Sequence, residues 1–319
     1  MSNIFFNVLR AGINTTFQDG GRFGVQHLGL PPSGCMDTKS FLIANAIVGN
    51  KKSTGVIEFA YQGPLLQLSK GKIKVAVTGN VNFKIIYKNS KIIEGISNRS
   101  YILNEGDQID ILATKKSAYG YISIEGGFSL ESYCNSVSTL VKAQIGPNNG
   151  SKIKLGDKIK INKLSKSNTN FKANISYDTT STIRVLKGPQ YDYFSEESKK
   201  IFFSKFYKIT NLTDRMGMRL EGEILKNIVN TNIRSEGITR GAVQVPADGQ
   251  PIILLTDHPT IGGYPKIANV VSADYDLLIQ KTPGTNISFK CIDLKEAEQL
   301  YKVKHNSISK IIKNIEEIN

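Results

Sequence analysis

At 319 residues and 40% hydrophobic, the chain is too long for a single hydrophobic core and suits two globular domains. It has no apolar run near the roughly 20 residues of a membrane span, its start MSNIFFNVLR is too polar for a signal peptide, and its 3 Cys are too widely spaced for a disulfide framework or a metal site, so a cytoplasmic protein off the membrane is expected. The net charge of +14 comes from 33 Lys against 8 Arg, scattered without a basic run or interleaved aromatics, and no nucleic-acid partner is expected from it.

The first rich stretch is Gly12 to Asp37, GINTTFQDGGRFGVQHLGLPPSGCMD. Asp19 and Arg22 flank Gly20 and Gly21, either as a turn closed by an ion pair or as a place where Arg22 and the glycine amides receive an anion. Cys35 stands at a helix start, where a thiol is acidified, yet no His/Asn partner set accompanies it, and a small residue packed at the helix entry is expected rather than a nucleophile. Asp37 is a good N-cap for TKSFLIANAIV, which stops at Gly49.

Strands follow at IKVAVTG (73–79), IDILAT (109–114) and YGYISIEGG (119–127), apolar runs between turn residues. A turn-then-strand unit recurs as EGDQIDI (105–111), LGDKIKI (155–161) and, more weakly, PGTNISF (283–289), as two related β domains in tandem would show. We read 1–165 as the first domain, the polar 166–182 as a linker, 183–293 as the second domain and 294–319 as a helical tail packed on it. Ser195 caps a helix over EESKKIFFS.

Arg215 and Arg219 lie four apart in LTDRMGMRLEG, a spacing that places both on one face. Asp214, Glu221 or Glu223 neutralises them, or a carboxylate or phosphate ligand does. Then comes RGAVQVPADGQPIILLTDHPTIGGYPKIANVVSADYD, Arg240 to Asp276, in which VQV and PIILL read as buried strands. Its loop, 256–268, carries Asp257, His258, Tyr264 and Lys266 between Pro259 and Pro265, bent at Gly262 and Gly263, whose backbone angles are expected to resist a side chain. Lys266 is expected either to meet a phosphate or oxyanion or to be an exposed lysine at a barrel corner. Asp257 and His258 would orient it or a water; alternatively His258 is a hydrogen-bonding strut.

The chain lacks GxxxxGK[ST] and a strand-following GxGxxG, so a nucleotide would bind outside the standard loops or on a partner. It also lacks an AMKM-type biotin site, and 3 His make a His-rich metal centre unexpected.

Together with ANAIVGN (44–50), LKGPQYDYF (186–194), DRMGMRLEG (214–222) and the run from Ser235 to Gln280, these stretches resemble the biotin-dependent carboxyltransferase family, also called the allophanate hydrolase second-subunit or KipA family. The resemblance reaches to about Asp293. It implies a mainly β chain: two tandem cyclophilin-like β-barrel domains with a few short helices and a C-terminal helix. It further implies a place in an ATP-hydrolysing 5-oxoprolinase, as its C-type subunit. That assembly cleaves 5-oxoproline, a lactam, to glutamate, with KipI-like and LamB/YcsF-like subunits as partners. ATP, with Mg2+, would bind at a subunit interface. Two alternatives are the carboxyltransferase half of a urea- or allophanate-handling system, with biotin on another chain, and a KipA-like protein that binds a KipI-like kinase inhibitor.

The sequence departs from the family pattern at Asn135 and Val137, where Gly and Arg are usual, at Cys35 in place of Ala, and at Ile261 in place of Thr. The expected site comprises Lys266, Asp257, His258 and Tyr264 for catalysis. Arg22, Asp19, Asp37, Arg215, Arg219, Gly262 and Gly263 would hold substrate or phosphate, with no metal ligand.

Overall fold

Alternating apolar runs closed by tight turns make this a mainly β protein, with four α-helices among the described residues. The structure is a computed structural model and describes residues 4–166, 168–229 and 232–318.

One compact unit is built from Met1–Arg22, Ser33–Ser176 and Ser307–Asn319, and a second from Phe23–Pro32 and Tyr177–Asn306. The chain begins with β1 (Phe5–Arg10), β2 (Asn14–Gln18), α1 (Thr38–Ile47), β3 (Val56–Ala60), β4 (Leu65–Leu68), β5 (Lys72–Thr78) and β6 (Val81–Ile86). It continues through β7 (Ile92–Glu94), β8 (Arg99–Asn104), β9 (Gln108–Thr114), β10 (Tyr119–Ile124), β11 (Lys158–Lys160) and β12 (Asn170–Lys172). In the second unit it forms β13 (Thr182–Lys187), α2 (Glu196–Ser204), β14 (Tyr207–Thr213), β15 (Gly217–Glu221), β16 (Glu236–Gly237) and β17 (Ala242–Gln244). There follow β18 (Ile252–Leu254), β19 (Ile261–Gly262), β20 (Lys266–Val270), α3 (Tyr275–Ile279), β21 (Asn286–Cys291), α4 (Leu294–Lys313) and finally β22 (Glu316–Ile318).

In the first unit a six-stranded sheet runs β11-β1-β4-β9-β6-β7 and a seven-stranded sheet β2-β3-β10-β5-β8-β12-β22. β3 and β10 are buried at every position, as strands in the middle of a sheet should be. Their side chains join Phe6, Phe17, Val75, Phe83 and Ile111 in one core. Asp37 caps α1, accepting from the Ser40 amide at 2.9 Å, a contact worth about 1 kcal/mol.

The recurring turn-then-strand unit has one geometry. Gly106, Gly156 and Gly284 hold φ of 88°, 87° and 88°, a region open to glycine, just before β9, β11 and β21. In the first two the following aspartate closes the turn: Asp107 Oδ2 accepts from the Asn104 amide at 2.7 Å and Asp157 Oδ2 from the Lys154 amide at 2.8 Å. Thr285 stands in that place in the third.

The second unit is a closed barrel, β13-β20-β17-β18-β15-β14-β21, sealed by the parallel pairing of β13 with β21. Ser195 caps α2, whose Phe202 stacks on Phe289 with ring centroids 4.4 Å apart. β16 and β19 make a separate two-stranded ribbon.

The stretch expected as a linker, 166–182, carries β12, which pairs with β8 and β22. Three residues are enough for a strand when both neighbours supply the ladder, which a pattern search does not see. The tail is likewise divided: α4 ends in β22, and Ser307–Asn319 belongs with the first unit, where Ile311, Ile312 and Ile315 pack near Ile43, Ile47 and Ala173.

Candidate functional site

The register of the barrel sets the site. β17 and β20 pair with Gln244 opposite Lys266, so both side chains leave the sheet on the same side. Lys266 is 3% exposed, not the open corner lysine that was one expectation. Its Nζ reaches Glu236 Oε1 at 2.5 Å and the Tyr264 carbonyl at 3.4 Å. Gln190 Nε2 donates to the same Glu236 oxygen at 2.9 Å, while Gln190 Oε1 accepts from the Lys266 amide at 3.2 Å. The hydrogen bonds from Lys266 and then Gln190 hold the Glu236 carboxyl below its usual range. Glu236 stands on β16 directly opposite Gly262 of β19. A side chain at Gly262 would come within 2.7 Å of Gln244 Nε2, a buried donor with no partner among the described residues.

Glu236, Gln190 and Gln244 are not among the site residues expected from the sequence. Only Gln244 carried a local signal, a polar residue inside the apolar run VQV whose three residues are all buried. Tyr264 meets Lys266 through its carbonyl, with its own side chain 40% exposed. Gly262 and Gly263 do not hold left-handed angles as expected. Space is tight at each instead: a side chain at Gly263 would meet the Ile233 carbonyl oxygen at 3.1 Å.

Asp257 and His258 do not orient Lys266. The Arg215 guanidinium takes Asp257 in a two-pronged bond, Nε to Oδ2 at 2.8 Å and Nη2 to Oδ1 at 3.0 Å. His258 Nδ1 lies 2.6 Å from the Pro259 carbonyl oxygen, and burial pushes the imidazole pKa down. Next to them Thr256 Oγ1 and the Tyr275 hydroxyl are 3.0 Å apart, and the Arg240 guanidinium covers the Tyr275 ring at 4.4 Å. Burial, above all, raises the Tyr275 phenol. Arg219 does not share this environment: it pairs with Asp248 at 3.2 Å where both are open to solvent. Arg215 is thus paired with Asp257 and Arg219 with Asp248, because chain reversals bring these distant aspartates to the two arginines.

The first-unit candidates form a different kind of cluster. Asp19 is saturated: Oδ1 accepts from the Gly21 amide at 2.8 Å, Ser136 Oγ at 2.7 Å and Ser138 Oγ at 2.6 Å, and Oδ2 from the Val137 amide at 2.8 Å. Arg22, 1% exposed, donates to the Ser138 carbonyl. The amide of Met36 donates to Glu58 Oε2 at 2.7 Å, and that of Asp37 to the Tyr121 hydroxyl at 2.7 Å, which itself donates to Glu58 at 2.8 Å. Burial first, then the charge of Glu58, keeps the Tyr121 phenol protonated. Asp37 is a helix cap within this network, and Cys35 is a buried thiol outside any disulfide. Glu58 was missed; like Gln244 it interrupts a buried apolar strand, VIEFA.

No group of three or more His, Cys, Asp or Glu able to hold a metal occurs among the described residues. No helix among them is long and apolar enough to cross a membrane. Two clefts, of about 350 Å³ beside Phe17 and Ile153 and about 280 Å³ beside Leu186 and Tyr301, contain none of the candidate residues.

Comparison with known proteins agrees with this architecture. The chain is 31% identical to the 5-oxoprolinase C subunit of Haemophilus influenzae over 315 residues, 98% of this chain and 99% of that one. It is 32% identical to urea amidolyase of Lachancea kluyveri over 321 residues, 92% of this chain but 17% of that protein. The crystal structure of the K. lactis urea amidolyase superposes with a TM-score of 0.87 at 29% identity, over 96% of this chain and 20% of that one. The family model for the carboxyltransferase domain, subdomains A and B, matches residues 28–291, and the chain belongs to that family.

Proposed function

We propose that the chain is the C-type subunit of an ATP-dependent 5-oxoprolinase, active only with KipI-like and LamB/YcsF-like partners. The observation that carries this reading is end-to-end similarity to a subunit of that name, 98% of one chain on 99% of the other, against 17% of a urea amidolyase.

The chemistry of the second-unit site is compatible with such a substrate. The lactam is a stable amide, and breaking its C–N bond needs an activated carbonyl and a water. ATP, when bound in the assembly, supplies the phosphoryl group that activates the lactam oxygen. This chain contributes a buried cation, Lys266, and two amide donors, Gln190 and Gln244. Such a set stabilises one anionic group or developing oxyanion. It is too small for a triphosphate, so this reading assigns the nucleotide, with Mg2+, to a partner or a subunit interface. Ile261, 60% exposed, and Tyr264, 40% exposed, flank Gly262 and Gly263 and offer a partner an apolar edge beside the site.

The test is glutamate release from 5-oxoproline and ATP by the purified chain, alone and with both partners. The reading expects turnover only in the full mixture. Robust turnover by the isolated chain, or none in the full mixture, would contradict it. Carboxyl transfer from a biotin donor is the second reading, favoured by the likeness to K. lactis urea amidolyase, and the same preparation assayed with urea and a carboxylated biotin carrier separates the two.

A further inference from the structure

Glu236 and the groups that hold it come from different parts of the fold. Lys266 and Gln244 project from paired barrel strands, and Gln190 is fastened to β20 through the Lys266 amide. All three are at least nine-tenths buried. Glu236 arrives on a two-residue strand whose residues are both exposed and which pairs, among the described residues, with β19 alone. One oxygen of its carboxylate takes both Lys266 Nζ and Gln190 Nε2. The third donor, Gln244 Nε2, has no partner among the described residues, although it borders Gly262, the residue paired with Glu236. A built-in cradle of three donors is therefore filled incompletely, by a carboxylate on an outlying ribbon.

We infer that this cradle is a binding site for a small carboxylate, and that Glu236 is an internal stand-in which the ligand displaces. A bare lysine buried to this degree is costly, and a ligand that had to pay for its desolvation would bind weakly. With Glu236 seated, Lys266 is already dry and paired, and exchange swaps one carboxylate for another. The released Glu236 side chain, 43% exposed even when paired, returns to water at little cost. Gln244 then has an acceptor, the second oxygen of the incoming carboxylate or a neighbouring carbonyl. Both groups are present in 5-oxoproline; that identity rests on the function proposed above, whereas the carboxylate site rests on the geometry.

The test is calorimetric titration of L-5-oxoproline, and separately of acetate, into the full chain, wild type and variants. Glu236→Gln removes the competitor and should bind carboxylates roughly tenfold tighter or better, since a site occupied from within loses affinity in proportion to its free fraction. Glu236→Asp keeps the charge but withdraws it by one methylene; it should tighten binding by less, and it decides the matter where Glu236→Gln fails to fold. Adding Lys266→Met to either variant should abolish the gain. Folded Glu236→Gln and Glu236→Asp proteins that bind neither ligand tighter than wild type would overturn the inference. Tightening for acetate but not for 5-oxoproline would uphold the carboxylate site and remove the lactam reading.

Discussion

The loop from Thr256 to Lys266 begins and ends at an ion pair, and the two pairs are built differently. Arg215 and Asp257 meet in a two-pronged contact with each side chain 7% exposed. Lys266 and Glu236 meet through one oxygen, with the lysine 4% and the glutamate 43% exposed. Both pairs join a cation to a carboxylate. In the first the carboxylate lies in a dry interior, and losing the arginine would strand it there. In the second the carboxylate has water to return to, and a buried amide stands beside it without a partner among the described residues. A sealed pair holds the start of the loop in place, and an open pair at its end can exchange ligands.

The largest test of that contrast is Arg215→Ala. Removing one partner of a buried pair strands the other, and unfolding in denaturant should show a loss of about 3–5 kcal/mol. A folded, wild-type-stable Arg215→Ala protein with reduced activity would reverse the assignment and make Arg215 a ligand group. Gly262→Ala ranks next. The added methyl meets Gln244 Nε2 at 2.7 Å, and overpacking of this kind costs about 1–3 kcal/mol. It should weaken carboxylate binding at the open pair as well, and unchanged affinity would show that Gln244 takes no part.

A smaller effect concerns pH. Burial depresses the His258 imidazole, so the folded protein keeps it neutral while the unfolded chain takes up a proton near the ordinary value of 6.5. Stability due to His258 is therefore present above that value and is lost as the pH falls through it toward the lowered folded value. Melting curves between about pH 7 and pH 5 should show this decline, and His258→Gln should flatten it. A slope that His258→Gln leaves unaltered would assign it to another group. The smallest effect is expected from Arg219→Ala. Its solvent-exposed partner Asp248 contributes little, and stability should stay within about 0.5 kcal/mol of wild type.

What could be read from the sequence was what is local in the chain. The caps Asp37 and Ser195 sit three residues from the amides they satisfy, and the strands at 73–79, 109–114 and 119–127 declare themselves by their own alternation. The repeated glycine turn was visible because its aspartate is sequence-adjacent. In the site, Lys266 was legible from its rigid, Gly-bent loop. Its partners were not: Glu236 is 30 residues away and Gln190 is 76, brought to it from outside its sheet by the fold of the chain. Asp257 and His258 were drawn to Lys266 by sequence proximity, but the loop spans enough chain to carry them into a separate, sealed environment. Gln244 and Glu58 share a signal worth using elsewhere: a lone polar residue inside a fully buried strand marks a network that a one-dimensional pattern leaves out.

The central claim is that the open pair at Lys266 works on the substrate while the sealed pair at Asp257 does not. It is tested most directly by Lys266→Ala in the assembly reconstituted with both partners, measured as glutamate released from 5-oxoproline and ATP. The account predicts a fall of about 10²-fold or more, the usual effect of losing a charge-stabilising donor, with partner binding and melting temperature near wild type because Glu236 is left facing water. Wild-type turnover in that variant would contradict it and leave the 256–268 loop as scaffold.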